Sequence, residues 1–194
     1  MMHDFVLRDA TVADAEALLA IYRPFVTHTA VSFELEAPDA AEFARRIAKV
    51  QSNWAWLVAE RAGSVAGYAY ASPHRERAAY RYCVEVSAYL APACRGQGIG
   101  RALYEALFGV LATKGFCTAY AGVSLPNDAS IRFHQALGFS EVGVFRRAGW
   151  KFAAWHDVSW WQRQLREEPP GECGGGPSDQ PAPGDDPNQL PQDD

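Results

Sequence analysis

Residues 95–100 read Arg95-Gly96-Gln97-Gly98-Ile99-Gly100 and lie between two stretches of regular pattern. The apolar run at 83–90 is typical of a strand, and Leu103, Leu107 and Leu111 then recur at the spacing of one helix face. A strand, a glycine-rich turn and a helix N-terminus form an anion cradle, because the first helical N–H groups have no carbonyl partner and the helix dipole attracts negative charge. The stretch therefore predicts a pyrophosphate site.

The spacing of the glycines narrows the kind of nucleotide site. A P-loop closes with Gly-Lys and then Ser or Thr, whereas Gly100 is followed by Arg101 and Ala102. The dinucleotide fingerprint G-x-G-x-x-G also fails, because glycine stands here at every second position. The turn instead resembles, at each defined position, the Arg/Gln-x-x-Gly-x-Gly/Ala coenzyme A signature of the GCN5-related N-acetyltransferases. A loop that only joins a strand to a helix is the alternative interpretation.

A second stretch resembles the same family. Residues 126–139 predict a short helix that is capped by Asn127 or Asp128 and closed by Gly138. In the family an Asn at this point contacts the pantetheine arm of the cofactor, and a Tyr seven residues later can protonate the leaving thiolate. His134 stands where that Tyr would be, so the chain departs here from the general pattern.

The departure at His134 directs the resemblance to one subfamily, the phosphinothricin N-acetyltransferases, which includes enzymes that acetylate methionine sulfoximine and methionine sulfone. The similarity rests on Glu85, His134, Leu-Pro-Asn-Asp at 125–128, Gly-Trp-Lys at 149–151, Trp-His-Asp-Val at 155–158 and Trp-Gln-Arg at 161–163. It runs from about residue 5 to residue 165.

The order of the predicted elements favours an α+β fold, with a mixed, mainly antiparallel sheet flanked by helices. Strands are predicted near 5–8, 56–60, 64–71, 83–90, 117–123, 140–146 and 154–164. Helices are predicted at 15–22 after a capping pattern at Thr11 and Asp14, from Asp39 through Val50, from the glycine-rich turn to Gly115, and around His134.

The composition divides the chain into a domain at 1–166 and a tail at 167–194. The tail holds seven of the 12 prolines and eight of the 23 acidic residues, and it contains no Lys or Arg, so we expect it to be disordered. Without the tail, 15 acidic residues face 18 basic ones, a net charge of +3. A mildly basic domain suits an anionic cofactor and a small anionic substrate, and is too weakly charged to predict nucleic-acid binding.

The cysteines and histidines predict neither a disulfide framework nor a metal site. Cys83, Cys94, Cys117 and Cys173 form no C-x-x-C pair, and His3, His28, His74 and His156 lack the spacing of metal ligands. No signal peptide opens the chain and no apolar run approaches the length of a membrane span, so we expect a cytoplasmic protein with reduced thiols and no membrane contact.

Glu85 is the first candidate for a catalytic residue, as general base. A carboxylate is disfavoured in an otherwise apolar strand unless it faces solvent or a site, and the two-residue period places Glu85 on one face with Ser87 and Tyr89. An ammonium group must lose a proton before it attacks a thioester, and a carboxylate can accept that proton. His134 is the second candidate, as an acid, as a base, or as a group that only positions water or substrate.

The resemblance implies acetyl-CoA as the acetyl donor and a homodimer. The implied cofactor contacts are Ala88, Tyr89 and Leu90 on the strand, Arg95, Gly96, Gln97, Gly98, Ile99, Gly100 and Arg101 in the turn, and Asn127 and Ser130 on the later helix. The implied substrate contacts are Phe33, Arg75, Arg77, Tyr80 and Glu85, since guanidinium groups bind carboxylates and phosphinates in a bidentate manner.

The implied reaction is direct acetyl transfer to the α-amino group of phosphinothricin, methionine sulfoximine or methionine sulfone. Two alternatives stay open. Another amine, on a protein N-terminus or a polyamine, could be the acceptor, although Arg75 and Arg77 weigh against a polyamine. The domain could also be an acyl-CoA sensor without turnover, although the presence of both Glu85 and His134 weighs against that.

Overall fold

Four helices and seven strands follow one another along residues 4–170, the part of the chain that the computed structural model describes. In chain order they are β1 (Val6–Asp9), α1 (Ala15–His28), α2 (Ala40–Asn53), β2 (Trp56–Arg61), β3 (Ser64–Pro73), β4 (Cys83–Leu90), α3 (Ile99–Thr113), β5 (Thr118–Ser124), α4 (Asp128–Ala136), β6 (Ser140–Lys151) and β7 (Ala154–Gln164).

The strands form one sheet in the order β1-β2-β3-β4-β5-β7-β6. Only the pairing of β4 with β5 is parallel, and the other five neighbouring pairs are antiparallel. The predicted fold class, α+β with a mixed, mainly antiparallel sheet, is therefore confirmed. Of the predicted tail, residues 171–194 lie outside the described residues.

Apolar side chains are buried on both faces of the sheet. On one face, Leu103, Leu107 and Leu111 of α3 are fully buried, as the four-residue spacing predicted. On the other face, α1 and α2 bury Val26 and Ile47 against β2 and β3. Within the described residues, no helix has the length and apolar character needed to cross a membrane.

The first helix is longer than predicted. The sequence predicted an end at Tyr22, yet α1 continues through Pro24 to His28. A proline inside a helix removes one N–H donor, here the one that would reach the carbonyl of Ala20. Ala20 is exposed, so water can satisfy that carbonyl, while the fully buried Val26 holds the last turn against the sheet. Burial of Val26 thus offsets much of the local cost of the proline.

The sixth strand also extends beyond its predicted end, from Arg146 to Lys151. Its pairing with β7 is interrupted between Phe145 and Gly149, where Arg147 adopts a φ of 52°. Asp157 of β7 holds this bulge, because its carboxylate accepts hydrogen bonds from Arg146 Nη1 and from the Arg147 N–H at 2.9 and 2.8 Å. The bulge interrupts the alternation of side chains between the two faces of the sheet, so the sequence pattern predicted an end of the strand at Arg146.

Candidate active site

The central strand β4 divides its side chains between the two faces of the sheet. Val84 and Val86 are buried in the core beneath α3. Glu85 lies on the opposite face, as does Tyr89, whose ring packs 5.0 Å from the ring of Tyr22 in α1. The predicted alternation along the strand is confirmed, and it brings a half-buried carboxylate to the middle of the sheet.

The sheet opens immediately beyond Glu85. Strands β4 and β5 are paired only at three positions, and Glu85 with Tyr120 is the last of them. Further along, β5 pairs with β7 while β4 remains paired with β3. The alternation of antiparallel pairing directs the N–H and C=O groups of Ala88 and Leu90, and the C=O of Val86, away from β3 and into the opening. This edge can accept an extended chain as a further strand would.

Backbone groups of Ala88 and Leu90 thus lie where the sequence predicted cofactor contacts. The backbone of Tyr89 is turned to β3 instead, opposite Tyr68, and its side chain packs against the rings of Tyr22 and Phe25. Tyr89 is therefore placed to shape the strand, whereas its two neighbours offer hydrogen-bonding groups to the opening.

The glycine-rich turn forms the predicted cradle at the start of α3. Gly96 and Gly98 have φ values of 73° and 81°, a conformation that side chains with a Cβ rarely adopt. The Ala102 N–H donates the first helical hydrogen bond, to the Gly98 carbonyl at 3.0 Å. The N–H groups of Ile99, Gly100 and Arg101 therefore point out of the first turn of α3, where a phosphate group can accept their hydrogen bonds.

The side chains around the cradle are directed to the protein itself. Gln97 donates to the Ala93 carbonyl at 2.7 Å and accepts a hydrogen bond from Arg61. Arg101 donates to Glu105 at 2.9 Å and to the Ala136 carbonyl at 2.8 Å, which ties α3 to the end of α4. The groups that this turn leaves free to bind an anion are thus backbone N–H groups, whereas the side chains of Gln97 and Arg101 hold the turn in place.

The Glu85 carboxylate forms a hydrogen bond with a histidine that the sequence analysis did not assign to the site. Nδ1 of His74 lies 3.0 Å from Oε1 of Glu85. Burial raises the pKa of the Glu85 carboxyl above its ordinary value, while the hydrogen bond with His74 and the charge of Arg75 act to lower it. The loop that follows β3 carries His74 to this position, and only its closeness in sequence to Arg75 could have indicated it.

Aromatic rings surround His74. Its imidazole stacks on Tyr120 with the ring centroids 4.2 Å apart. Tyr80 and Trp160 lie in T-shaped contact with it, with ring centroids 5.8 and 6.1 Å away. Tyr80, which the resemblance implied as a substrate contact, thus lies beside the histidine that is bound to Glu85. Trp160 borders this site as well.

An apolar cleft of about 360 Å³ begins at Trp160. The strand register places its floor, Gly122 and Val158, on the same face of the sheet as Glu85. Phe33, a predicted substrate contact, forms part of its wall and lies against Gly149. The full lining is Val31, Phe33, Gly122, Ser124, Phe145, Ala148, Val158 and Trp160.

The two predicted substrate arginines are both exposed, in the loop between β3 and β4. Arg75 is close enough to Glu85 for its charge to lower the pKa of that carboxyl. Arg77 begins the 3-10 turn that carries Tyr80, and its carbonyl accepts the Tyr80 N–H at 2.9 Å. The loop therefore brings the guanidinium of Arg75 near the Glu85 carboxylate, whereas the backbone of Arg77 shapes the turn.

The helix α4 contributes Asn127, Ser130 and His134. The Asn127 side chain caps the helix, because its Oδ1 accepts the Ser130 N–H at 3.2 Å. His134 is buried, and its Nδ1–H donates to the Ser130 carbonyl at 2.8 Å. Nε2 lies 3.5 Å from the Tyr104 hydroxyl, and burial lowers the pKa of the imidazole. The Ser130 carbonyl therefore fixes a proton on Nδ1, and burial disfavours the charged imidazolium.

Among residues 4–170, no group of three or more His, Cys, Asp or Glu side chains is placed to hold a metal ion. The arrangement therefore consists of a strand edge, an anion cradle and a carboxylate within one continuous surface. These parts can hold a long phosphorylated cofactor with its reactive end near Glu85, and they can accept a proton from a group bound beside that carboxylate.

Comparison with known proteins agrees with this geometry. The family model of the Acetyltransferase (GNAT) domain matches residues 7–160. The chain is 38% identical over 159 residues to a phosphinothricin N-acetyltransferase of Streptomyces viridochromogenes, which covers 82% of this chain and 87% of the relative. It is 36% identical over 162 residues to the L-methionine sulfoximine/L-methionine sulfone acetyltransferase of Salmonella typhimurium, with 83% and 95% covered.

A solved structure is also similar, that of a phosphinothricin acetyltransferase from Sinorhizobium meliloti in complex with acetyl-CoA. It has a TM-score of 0.80 and 37% sequence identity, and the similarity covers 97% of this chain and 98% of the other. Family match, sequence identity and shared fold agree over nearly the whole described region. The chain therefore belongs to the GNAT family of N-acetyltransferases.

Proposed function

We propose that this protein transfers the acetyl group of acetyl-CoA to the α-amino group of phosphinothricin, methionine sulfoximine or methionine sulfone. The observation that carries the proposal is the position of Glu85. The carboxylate stands at the last paired residue of β4 and β5, where the strand edge that can hold the donor meets the cleft that can hold the acceptor.

In this proposal the donor lies along the opening between β4 and β5. The pantetheine arm pairs with the free edge at Ala88 and Leu90, and the pyrophosphate accepts the N–H groups at the start of α3. The Ala88 N–H, which faces the opening, polarises the thioester carbonyl as a one-donor oxyanion site. Asn127 Oδ1 is engaged in the helix cap, so the side-chain amide N–H₂ is the part that reaches the pantetheine.

Glu85 is the general base in this reaction. The ammonium group of the acceptor gives one proton to the carboxylate, directly or through water, and the neutral amine then attacks the thioester carbon. The C–S bond breaks, the new C–N bond forms, and coenzyme A leaves as the thiolate that takes up a proton. The raised pKa of Glu85 makes the carboxylate a better proton acceptor than an exposed one.

The acceptor is proposed to bind between the cleft and the loop after β3. Phe33 and Trp160 would contact its apolar side chain, and Tyr80 would close the site near His74. Arg75 and Arg77 supply positive charge for a carboxylate or phosphinate. The sequence identity to enzymes named for these acceptors supports the assignment, whereas a polyamine would meet two guanidinium groups of its own sign.

For His134 we propose a positioning role. Nδ1–H of His134 is engaged with the Ser130 carbonyl and burial disfavours a second proton on Nε2, so the imidazole is poorly suited to give a proton to a thiolate. The same hydrogen bond braces the first turn of α4, which carries Asn127 and Ser130. His134 therefore acts on the cofactor through these two residues, a positioning role that differs from the positioning of water or substrate considered from the sequence.

We further propose that the enzyme works as a cytoplasmic homodimer. Phe145, Trp150, Phe152 and Trp155 of the β6–β7 hairpin are about half exposed, and such a patch of large apolar side chains is typical of an interface. Phe145 also lines the cleft, so a second copy would border the acceptor site. The three described cysteines are free, which suits a reducing compartment. Light scattering on the wild type and on Trp155→Ser tests the dimer.

The release of free thiol from acetyl-CoA tests the proposed reaction. We expect rapid release with phosphinothricin, methionine sulfoximine or methionine sulfone, and little with spermidine or a short peptide. Release only with the peptide or the polyamine would overturn the assignment of the acceptor. Glu85→Gln should lower kcat by about 10²-fold with acetyl-CoA binding intact, and unchanged turnover in this variant would exclude Glu85 as the base.

A further inference from the structure

We propose that His74 is a positioning residue for the catalytic carboxylate: its Nδ1–H holds Oε1 of Glu85 and leaves Oε2 for the amine of the acceptor. The inference rests on the proposed function, because it gives His74 its role through Glu85. It extends that proposal by assigning to the reaction a residue that neither the coenzyme A signature nor the helix motif contains.

Neighbouring groups hold the imidazole of His74 against the Glu85 carboxylate. The side chain of His74 is only 10% exposed, and its ring lies at 20° to the ring of Tyr120 with the centroids 4.2 Å apart. Tyr120 is also the cross-strand partner of Glu85. One tyrosine of β5 thus supports the imidazole and flanks the carboxylate, so that the 3.0 Å contact between them is held from both sides.

The protonation of the pair follows from the chemistry of a base. A carboxylate that is to accept a proton must be ionised, and an ionised carboxylate only accepts hydrogen bonds. Nδ1 of His74 therefore carries the proton in the reactive state. The Glu85 side chain is 35% exposed, and the oxygen that His74 leaves free is the one available to a bound amine.

Several groups face Glu85 from the elements packed around it. His74 and Arg75 follow β3, Tyr70 lies on β3 and Tyr120 on β5. Burial favours the protonated carboxyl, whereas the hydrogen bond with His74 and the charge of Arg75 favour the carboxylate, so the pKa of Glu85 depends on this balance. Removing the donor must raise the pKa further and move the acidic limb of the rate profile to higher pH.

Two substitutions at position 74 separate the hydrogen bond from the packing. His74→Phe keeps a flat ring against Tyr120 and removes the donor. His74→Asn shortens the ring to an amide whose N–H₂ can occupy the place of Nδ1. Both variants should retain the acetyl-CoA affinity and the circular dichroism spectrum of the wild type, which checks that each is folded.

We expect the acidic limb of kcat/KM to move up by about one pH unit in His74→Phe, with a roughly tenfold loss of rate below that limb. In His74→Asn the acidic limb should lie close to its wild-type pH. A limb that stays at the wild-type pH in His74→Phe would overturn the inference, as would an equal shift in both variants, because packing would then be the cause.

A second measurement does not depend on turnover. The titration of the Glu85 carboxyl can be followed by ¹³C NMR on the enzyme with acetyl-CoA but no acceptor, and assigned with Glu85→Gln. A higher pKa in His74→Phe than in the wild type supports the inference, and equal values overturn it. If Glu85→Gln kept full activity while this pKa still moved, the proposed base would be wrong and the hydrogen bond between His74 and Glu85 would stand.

Discussion

The ring of Phe33 occupies the space that a side chain at position 149 would need. A Cβ built on Gly149 would lie 2.4 Å from Cε2 of Phe33, which is closer than carbon atoms approach. Gly149 therefore lets the loop before α2 bring an aromatic ring onto β6, at the wall of the acceptor cleft. The glycine of the Gly-Trp-Lys motif and the predicted substrate contact form one unit.

Gly149→Ala should displace Phe33 from the cleft wall. The ring is 38% exposed and can swing toward solvent, so we expect a small loss of stability. The KM for methionine sulfoximine should rise about fivefold, the equivalent of ~1 kcal/mol of lost apolar contact. Steady-state kinetics measure this change. Gly109→Ala, on the exposed side of α3 with no atom near its Cβ, is the matched control and should leave KM unchanged.

Lys151→Met tests the buried lysine that holds the loop between α1 and α2, the loop that carries Phe33. The buried ammonium donates to the carbonyls of Val26 and Ser32 at 2.6 and 2.7 Å, which ties the end of α1 to the residue before Phe33. Methionine has a similar length but no donor, so two carbonyls lose a charged partner, and the free energy of unfolding should fall by about 2–3 kcal/mol. Urea unfolding measures this loss. An unchanged midpoint, equal to that of the exposed control Lys49→Met, would contradict the prediction.

Gly98→Ala should weaken acetyl-CoA binding. An alanine at a φ of 81° costs about 1 kcal/mol, and here the strain falls on the turn that presents the N–H groups of α3. We expect the Kd for acetyl-CoA to rise about fivefold in isothermal titration, the equivalent of that strain. Gly63 in the β2–β3 turn has a φ of 74° and equally open surroundings. Gly63→Ala should therefore lose similar stability and keep the wild-type Kd. Equal Kd values in the two variants would argue against the cradle.

Asp14 gives a prediction about stability and pH. Its carboxylate accepts two hydrogen bonds from Arg8, at 2.8 and 2.7 Å, and one from the Thr11 N–H at 2.7 Å. The bonds with Arg8 lower the pKa of Asp14 to about 2 from its ordinary 3.8. Since the folded pKa is the lower one, this stabilisation is complete above pH 3.8 and is lost as the pH falls toward 2.

Asp14→Asn should accordingly lower the melting temperature at pH 7 and have a smaller effect at each step from pH 4 to pH 2. Differential scanning calorimetry across that range measures the difference. A destabilisation that is the same at pH 2.5 and pH 7 would show that the capping geometry matters and the charge does not. Asp9→Asn, at the exposed end of β1, provides the control for a change of net charge.

Much of the architecture could be predicted because it depends on local patterns. Residues close in the sequence determine the alternation around Glu85 and the conformation of the glycine-rich turn. They also determine the helix face formed by Leu103, Leu107 and Leu111. Asp39 and Asn127 cap their helices as their positions predicted. These features require no knowledge of distant contacts.

The features that were missed depend on partners distant in the sequence. The helix α1 continues past Pro24 because Val26 meets the sheet, and the bulge of β6 exists because Asp157 accepts the Arg147 N–H. His74 joins the carboxylate site only because β5 places Tyr120 beneath its ring. Local propensity cannot report such contacts, and at His74 the missed contact lies at the centre of the site.

Strand β4 fixes the distance between Glu85 and the free strand edge that can hold the donor. Glu85 and Ala88 belong to the same strand, and their Cα atoms lie about 10 Å apart at ~3.3 Å per residue. Bond lengths set this spacing, and the pairing with β3 keeps this part of β4 extended. Movements of Phe33, Tyr80 or Arg75 can therefore change which amine is admitted without changing how far the acetyl group has to travel.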